Sequence, residues 1–213
     1  MPEPRRQDCR IARLASLAVA LAAWLSPTPA EAHTPVQGIG SFWSGVVHLL
    51  TSLDQVGFLL GLAILTSFDG RDRDARVIGT ALVALFAGAF VGDRLPAAEI
   101  TDFAGAGAAI MLTAGLLGAA HLRVSAAPLL GLASAGGLVS GVSGVEASAG
   151  LSLGLFSLGG SIAGASVLSY GLLGARRLDA EWGLIARRVA ASWIAAVGMM
   201  ILALFCARRF GRL

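Results

Sequence analysis

The sequence predicts an all-α protein, a polytopic bundle of about six transmembrane helices preceded by an N-terminal signal peptide. Three observations lead to this. Apolar residues make up 56% of the 213-residue chain and charged residues only 14%, the apolar residues form long runs, and arginines cluster between the runs. A soluble domain of this size cannot bury so much apolar surface, so the bilayer must act as the solvent.

Residues 1–32 have the pattern of a signal peptide. Arg5, Arg6 and Arg10 precede an apolar stretch over residues 11–25, Arg13 lies near its start, and two prolines then end that stretch. The small-x-small rule predicts cleavage after Ala32, which leaves residues 33–213 as a single transmembrane helical domain. The alternative is an uncleaved signal anchor, and in both cases His33 begins outside the cytoplasm.

Six apolar stretches follow, each near the roughly 20 residues that cross the hydrocarbon core of a bilayer. They cover approximately residues 40–67, 76–92, 103–122, 126–145, 149–173 and 187–207. The first stretch is longer than one untilted span and contains polar residues near its middle. We expect it to be strongly tilted or interrupted.

The arginine distribution predicts the orientation. With His33 outside, the first, third and fifth loops face the cytoplasm, and they contain Arg71, Arg73, Arg76, Arg123, Arg176, Arg177, Arg187 and Arg188. The opposite side has only Arg94 among acidic residues, so the positive-inside rule predicts an inner-membrane protein with a periplasmic mature N-terminus. The basic tail around Arg208 and Arg209, with Arg212, disagrees: it is an exception, or one span is miscounted.

A short internal echo suggests a repeat. Residues 43–46 read Trp-Ser-Gly-Val and residues 139–142 read Val-Ser-Gly-Val. In a three-plus-three division these two spans cross in opposite directions, as inverted-repeat transporters require. A four-residue match also arises by chance in helices rich in Gly and Ser, so both interpretations stay open.

Composition and motifs exclude several classes of protein. The net charge of +3 comes from arginines in short clusters, which is typical of membrane-flanking loops and not of a nucleic-acid surface. Cys9 lies in the leader and Cys206 in the last apolar stretch, so no disulfide forms within the mature chain. We expect no enzyme and no resident cofactor, because catalytic triads, phosphate-binding loops and a soluble cofactor domain are missing.

Three ionisable residues fall inside or beside apolar stretches: His48, Asp54 and Glu146. Such groups are costly in a membrane and need a reason. His48 and Asp54 lie about 120° apart on a straight helix, so they share one ion only if the helix breaks between them. With Gln55 and Ser143 as secondary oxygen donors, the three residues would suit a divalent transition metal. The alternative is that they serve helix packing and that Glu146 faces water.

In these residues the chain resembles the HupE/UreJ family, small bacterial membrane proteins linked to hydrogenase and urease and regarded as nickel permeases. The first family signature is His, five residues, Asp-His; here His48 and Asp54 match and Gln55 replaces the final histidine. The second signature is Phe-His-Gly-x-Ala/Val-His-Gly-x-Glu, which corresponds to residues 138–146 here. This stretch retains three of the signature positions, Val142, Gly144 and Glu146, and has Val139 and Ser143 in place of both histidines.

The resemblance implies a permease or accessory factor for a divalent transition metal, nickel in the family, with His48, Asp54 and Glu146 as the metal site. Three of the four signature histidines are replaced, which removes most of the imidazole donors that suit nickel. The alternative is therefore a non-transporting family member that assembles or anchors a membrane complex. The expected partners are the lipid bilayer, a metal ion, and either further copies of this chain or another membrane protein.

The two other histidines have less specific interpretations. After cleavage His33 would offer its α-amine and imidazole to a metal outside the cell, or it is simply the residue that follows the cleavage site. His121 ends an apolar stretch beside Arg123 and is interpreted as a helix-terminus residue. Small-residue clusters such as Gly159-Gly160 predict close helix contacts or a self-association face.

Overall fold

The structure is a computed structural model that describes residues 38–178 and 181–211. The predicted signal peptide and His33 lie outside the described residues. Within them the chain forms seven α-helices and no strand, which confirms the all-α class. Numbered α1 to α7, the helices are Gly40–Thr51, Leu53–Ser67, Asp74–Gly92, Ala97–Ala119, Ala126–Ser143, Leu153–Arg177 and Glu181–Arg209.

The helices confirm a polytopic membrane bundle. Each of α3 to α7 contains a stretch long and apolar enough to cross a bilayer, and α1 and α2 meet that criterion only together, bent by 71° at their junction. The expected interruption of the first apolar stretch is thus confirmed. The predicted boundaries lie within about six residues of the observed helix ends, as expected from hydropathy alone.

The bent pair crosses the bundle as one broken span. At the start of α1, the Ser41 hydroxyl accepts a hydrogen bond of 3.0 Å from the amide of Ser152, which immediately precedes α6. Just after α2, the carbonyl of Asp69 accepts a bond of 3.0 Å from Arg176, at the other end of α6. Because α6 has 25 residues and is therefore about 37 Å long, α1 and α2 together traverse a full membrane thickness.

The break lies at Ser52, which has an extended backbone with ψ of 100°. The Ser52 amide still donates to the carbonyl of His48 at 3.0 Å. The Ser52 hydroxyl donates to the same carbonyl at 2.7 Å, and the Thr51 hydroxyl approaches it at 3.1 Å, so side chains and backbone together satisfy the last turn of α1. Helix α2 then starts with Asp54 in its first turn, where the free amide groups favour a carboxylate.

The contact between α4 and α7 has a two-fold pattern. A Cβ added to Gly115 would lie 2.5 Å from the amide nitrogen of Ala195, and one added to Gly198 would lie 2.8 Å from that of Leu112. The two helices run in opposite directions and present the same arrangement to each other. This arrangement is compatible with a three-plus-three inverted repeat, which stays a prediction.

The residues of the sequence echo occupy matching positions in two other helix crossings. A Cβ on Gly45 of α1 would collide with the carbonyl oxygen of Phe156 in α6, and one on Gly141 of α5 would collide with that of Leu85 in α3. Small residues thus bring backbones into direct contact in both halves of the chain. These contacts are compatible with the predicted inverted repeat, and among the described residues only the first half contains a broken span.

The arginines of the odd loops gather at one end of the bundle, the Arg-rich end. Arg73 bonds to the carbonyl of Val124 at 3.2 Å, and Arg176 forms an ion pair of 2.6 Å with Asp74. These bonds connect the loop after α2 with the loop after α4 and the end of α6. The loops that the sequence placed on one side of the membrane are therefore neighbours in the structure.

The basic tail lies at the opposite end, the acidic end, which contains Asp93, Asp102 and Glu146. There Arg209 forms an ion pair of 3.6 Å with Asp102 at the start of α4. The acidic loop provides a counter-charge for the tail, which gives a physical reason for the exception to the arginine pattern. Six spans remain consistent with the structure, and the number of spans need not change.

We expect Gly141→Ala to lower the free energy of unfolding by about 1–3 kcal/mol, because the added methyl group collides with backbone atoms of α3. Gly131→Ala in the same helix is the matched control, since no heavy atom lies within 4 Å of the added Cβ. Thermal unfolding in detergent measures both variants. Equal unfolding temperatures would contradict the backbone contact described here.

Candidate metal site at the broken helix

The helix break places two signature residues on either side of one junction. His48 lies in the last turn of α1 and Asp54 in the first turn of α2. On a straight helix the two side chains would diverge by about 120°, whereas the 71° bend at Ser52 removes that restriction. The structure thus meets the condition under which the sequence allowed these residues to act together.

His48 borders a small cavity, the His48 cavity, between α1, α2, α3, α5 and α6. Its polar lining residues are His48, Gln55, Ser140 and Ser157. The volume of about 20 Å³ accommodates about one water-sized ligand. Gln55 is only 5% exposed, and its amide nitrogen donates to the carbonyl of Ser140 at 3.3 Å.

The imidazole of His48 is held among close neighbours. The Ser52 hydroxyl lies 3.5 Å from Nε2, and the centroid of the Phe156 ring lies 5.6 Å from that of the imidazole. A Cβ added to Gly144 would lie 3.5 Å from Nε2. Gly144, which matches the family signature, therefore leaves this edge of the ring uncovered.

Asp54 borders a second space, the Asp54 cleft, together with Gly107, Val139, Ser140 and Ser143. The cleft has no room for a water molecule in this conformation. The hydroxyl of Ser143 donates to the carbonyl of Val139 at 2.9 Å. Ser140 borders both the cleft and the His48 cavity, so the two signature residues of the first span lie on either side of it.

Glu146 is placed apart from both spaces. It is exposed in the short 3₁₀ turn Val145–Ser148 at the acidic end and lines neither the cavity nor the cleft. Within residues 38–178 and 181–211, no three side chains among His, Cys, Asp and Glu converge as a metal cluster. The three-residue metal site therefore stays a prediction. Its members lie apart in the structure: His48 at the His48 cavity, Asp54 at the Asp54 cleft and Glu146 at the acidic end.

His121 follows α4 with a left-handed backbone, φ of 54°. Its ring packs edge-on against Phe68 with centroids 4.5 Å apart. This contact lies at the Arg-rich end, away from the His48 cavity. The position agrees with the interpretation of His121 as a helix-terminus residue.

A family model described as HupE / UreJ protein matches residues 20–201. The chain belongs to the HupE/UreJ family. Membership supports a metal-related accessory or permease-type role in general. No curated protein and no solved structure matches the chain.

The family signatures can now be located in space. Gln55, at one histidine position of the HupE/UreJ signatures, lines the His48 cavity, whereas Val139 and Ser143, at the two others, both line the Asp54 cleft. Ser157 lies in neither signature, and the sequence offers no motif that singles it out. Only the crossing of α6 over α1 brings it to the cavity.

We expect Gln55→His to tighten Ni²⁺ binding by about tenfold, or about 1.4 kcal/mol, because a second imidazole would enter the His48 cavity. Isothermal titration of the purified protein measures the affinity. Thr113→His is the control, since Thr113 is exposed on α4 and bonds to its own helix. Equal affinity of Gln55→His and the unaltered protein would contradict the assignment of this cavity.

Proposed function

We propose that this chain is an inner-membrane permease or accessory factor for a divalent transition metal, and that the ion passes the broken first span. The observation that carries the proposal is the junction at Ser52, which places His48 and Asp54 in adjoining spaces separated by Ser140. Discontinuous membrane helices are a recurrent way to build cation sites at membrane depth.

The electrostatics of the two half-helices favour a cation. The carboxyl end of α1 bears a partial negative charge, and His48 lies in its last turn. The carboxylate of Asp54 supplies a full negative charge just beyond the junction. Among the described residues no basic side chain forms an ion pair with Asp54, so its charge is available to a passing cation.

Glu146 suits the position at which a cation would first bind, at the outer end of the bundle. It is exposed at the acidic end, where Asp93 and Asp102 add negative charge. A mouth with charge of one sign raises the local concentration of oppositely charged ions. In this proposal a cation meets Glu146 first, then the His48 cavity, then Asp54, and the acidic end faces the periplasm.

The donor set indicates weak and exchangeable binding. One imidazole with amide and hydroxyl oxygens is compatible with borderline ions such as Ni²⁺ or Co²⁺, while soft ions prefer thiolate or thioether ligands. Loss of three signature histidines lowers the expected affinity for nickel. Weak binding suits a site that must release its ion, so it is compatible with permeation.

We expect His48→Ala and Asp54→Asn to lower the initial rate of Ni²⁺ or Co²⁺ uptake by at least about tenfold, since each removes a proposed binding position for the ion inside the membrane. Glu146→Gln should mainly raise the half-saturating ion concentration. Uptake of radioactive nickel and cobalt by cells that make equal amounts of each variant measures this. Asp72→Asn at the Arg-rich end is the control, and uptake equal to the unaltered protein in all variants would refute permeation.

The alternative is a family member that does not transport and instead assembles a membrane complex. The replaced histidines favour this alternative. Val139 and Ser143 stand at two of the histidine positions and line the Asp54 cleft, so the cleft has no imidazole. Such a protein would bind neither Ni²⁺ nor Co²⁺ and would co-purify with a stoichiometric partner. Metal titration and the composition of the purified complex distinguish the two functions.

The proposed orientation predicts the reactivity of single cysteines in a background that lacks Cys9 and Cys206. Asp93→Cys is exposed at the acidic end and should react with a membrane-impermeant thiol reagent in intact spheroplasts. Arg123→Cys at the Arg-rich end should react only after lysis. The reverse pattern would show that the bundle is inserted the other way.

A further inference from the structure

Helix α6 supplies a wall of the His48 cavity that the family signatures do not describe. Ser157 of α6 lines this cavity and is only 3% exposed. Its hydroxyl has no hydrogen-bond partner among the described residues. A buried hydroxyl without a partner costs about 1–3 kcal/mol, so its presence needs a physical explanation.

Several other hydroxyls of the bundle are satisfied by their own helices. Thr66, Ser143 and Ser166 each donate to the carbonyl four residues earlier, at distances of 2.7, 2.9 and 2.9 Å. This bond is the usual solution for a hydroxyl in an apolar helix. Ser157 does not use it, and Ser157 lines the His48 cavity.

Ser161 lies one turn further along α6 and shows that an unpartnered hydroxyl and a position at the cavity are separate observations. Its hydroxyl is also buried and without a partner in the described part of the chain, but Ser161 does not line the His48 cavity. An unsatisfied hydroxyl is therefore insufficient to indicate a ligand. The cavity, together with the donors that surround it, is what distinguishes Ser157.

The cavity brings three donor side chains from three helices around one water-sized volume. His48 belongs to α1, Gln55 to α2 and Ser157 to α6. The amide nitrogen of Gln55 donates to Ser140, which leaves the amide oxygen as the free acceptor. The set comprises one imidazole and two neutral oxygens, Ser140 of α5 is a further polar residue of the lining, and no carboxylate lines the same volume.

We propose that Ser157 contacts the ion in this cavity, and that the ion is a divalent transition metal held by His48, Gln55 and Ser157. The inference rests on the proposed function and adds α6 to the site. Because the three donors are uncharged, the metal keeps its full charge there, so the site is weak and passes the ion on. Soft monovalent copper is disfavoured, since thiolate and thioether ligands are missing.

The test uses Ser157→Cys in the full-length protein with Cys9 and Cys206 replaced by alanine. A cysteine thiolate that ligates Co²⁺ produces a charge-transfer absorption band, so the probe is Co²⁺ alone. We expect the band in Ser157→Cys and its loss when His48→Ala is added. Ser161→Cys is the matched control, also buried and on the same helix, and should show no band.

The outcomes distinguish the inference from the function on which it rests. Co²⁺ binding to the unaltered protein without a band in Ser157→Cys would overturn the role of Ser157 and leave the metal function standing. An equal band in Ser161→Cys would also overturn it. Failure of both the unaltered protein and Ser157→Cys to bind Co²⁺ would refute the metal function as well.

A second variant separates ion contact from a structural role. Ser157→Ala should weaken Co²⁺ binding by about tenfold and leave the unfolding temperature unchanged or higher, because it removes an unsatisfied hydroxyl. Ser161→Ala should bind Co²⁺ like the unaltered protein. A lower unfolding temperature with unchanged Co²⁺ affinity would make Ser157 a packing residue and contradict the proposal.

Discussion

The candidate site depends on the break at Ser52, which ends the first half-helix. The extended backbone of Ser52 ends α1 at Thr51, and α2 begins at Leu53. A continuous helix would place His48 and Asp54 on diverging faces. The break lets them line two spaces that share Ser140, and it places the ends of two half-helices, with their partial charges, at the same junction.

Close backbone contacts hold this junction in place. Gly45 and Gly159 allow α1 to lie directly against α6, and Gly141 does the same for α5 against α3. Lipid supplies no hydrophobic driving force between helices, so van der Waals contact between small residues has to stabilise these crossings. The same crossings determine the size of the His48 cavity, and a single added methyl group would alter packing and cavity together.

Much of the architecture followed from hydropathy, because every span has to satisfy the same bilayer. The break in the first span could also be predicted from the sequence, since its polar residues and excess length conflict with a straight crossing. The sequence could not predict whether the site residues converge, because the depth of each side chain depends on where its helix ends. Glu146 follows the end of α5 and lies outside the cavity and the cleft. Ser157 could not be predicted from the sequence, because no pattern distinguishes one serine from another in a Gly/Ser-rich helix. The pairing of Arg209 with Asp102 needed the packing of α7 against α4.

The replaced histidines affect the two spaces differently, which argues against treating the signature as a single unit. Gln55 keeps a polar group in the His48 cavity, and its amide can both donate to Ser140 and offer an oxygen to an ion. Val139 and Ser143 leave the Asp54 cleft with one carboxylate and little else, since the Ser143 hydroxyl is already bonded to its own helix. The chain therefore retains the donors of the cavity better than those of the cleft. An ion would be recognised chiefly in the His48 cavity, while Asp54 would contribute mainly its charge.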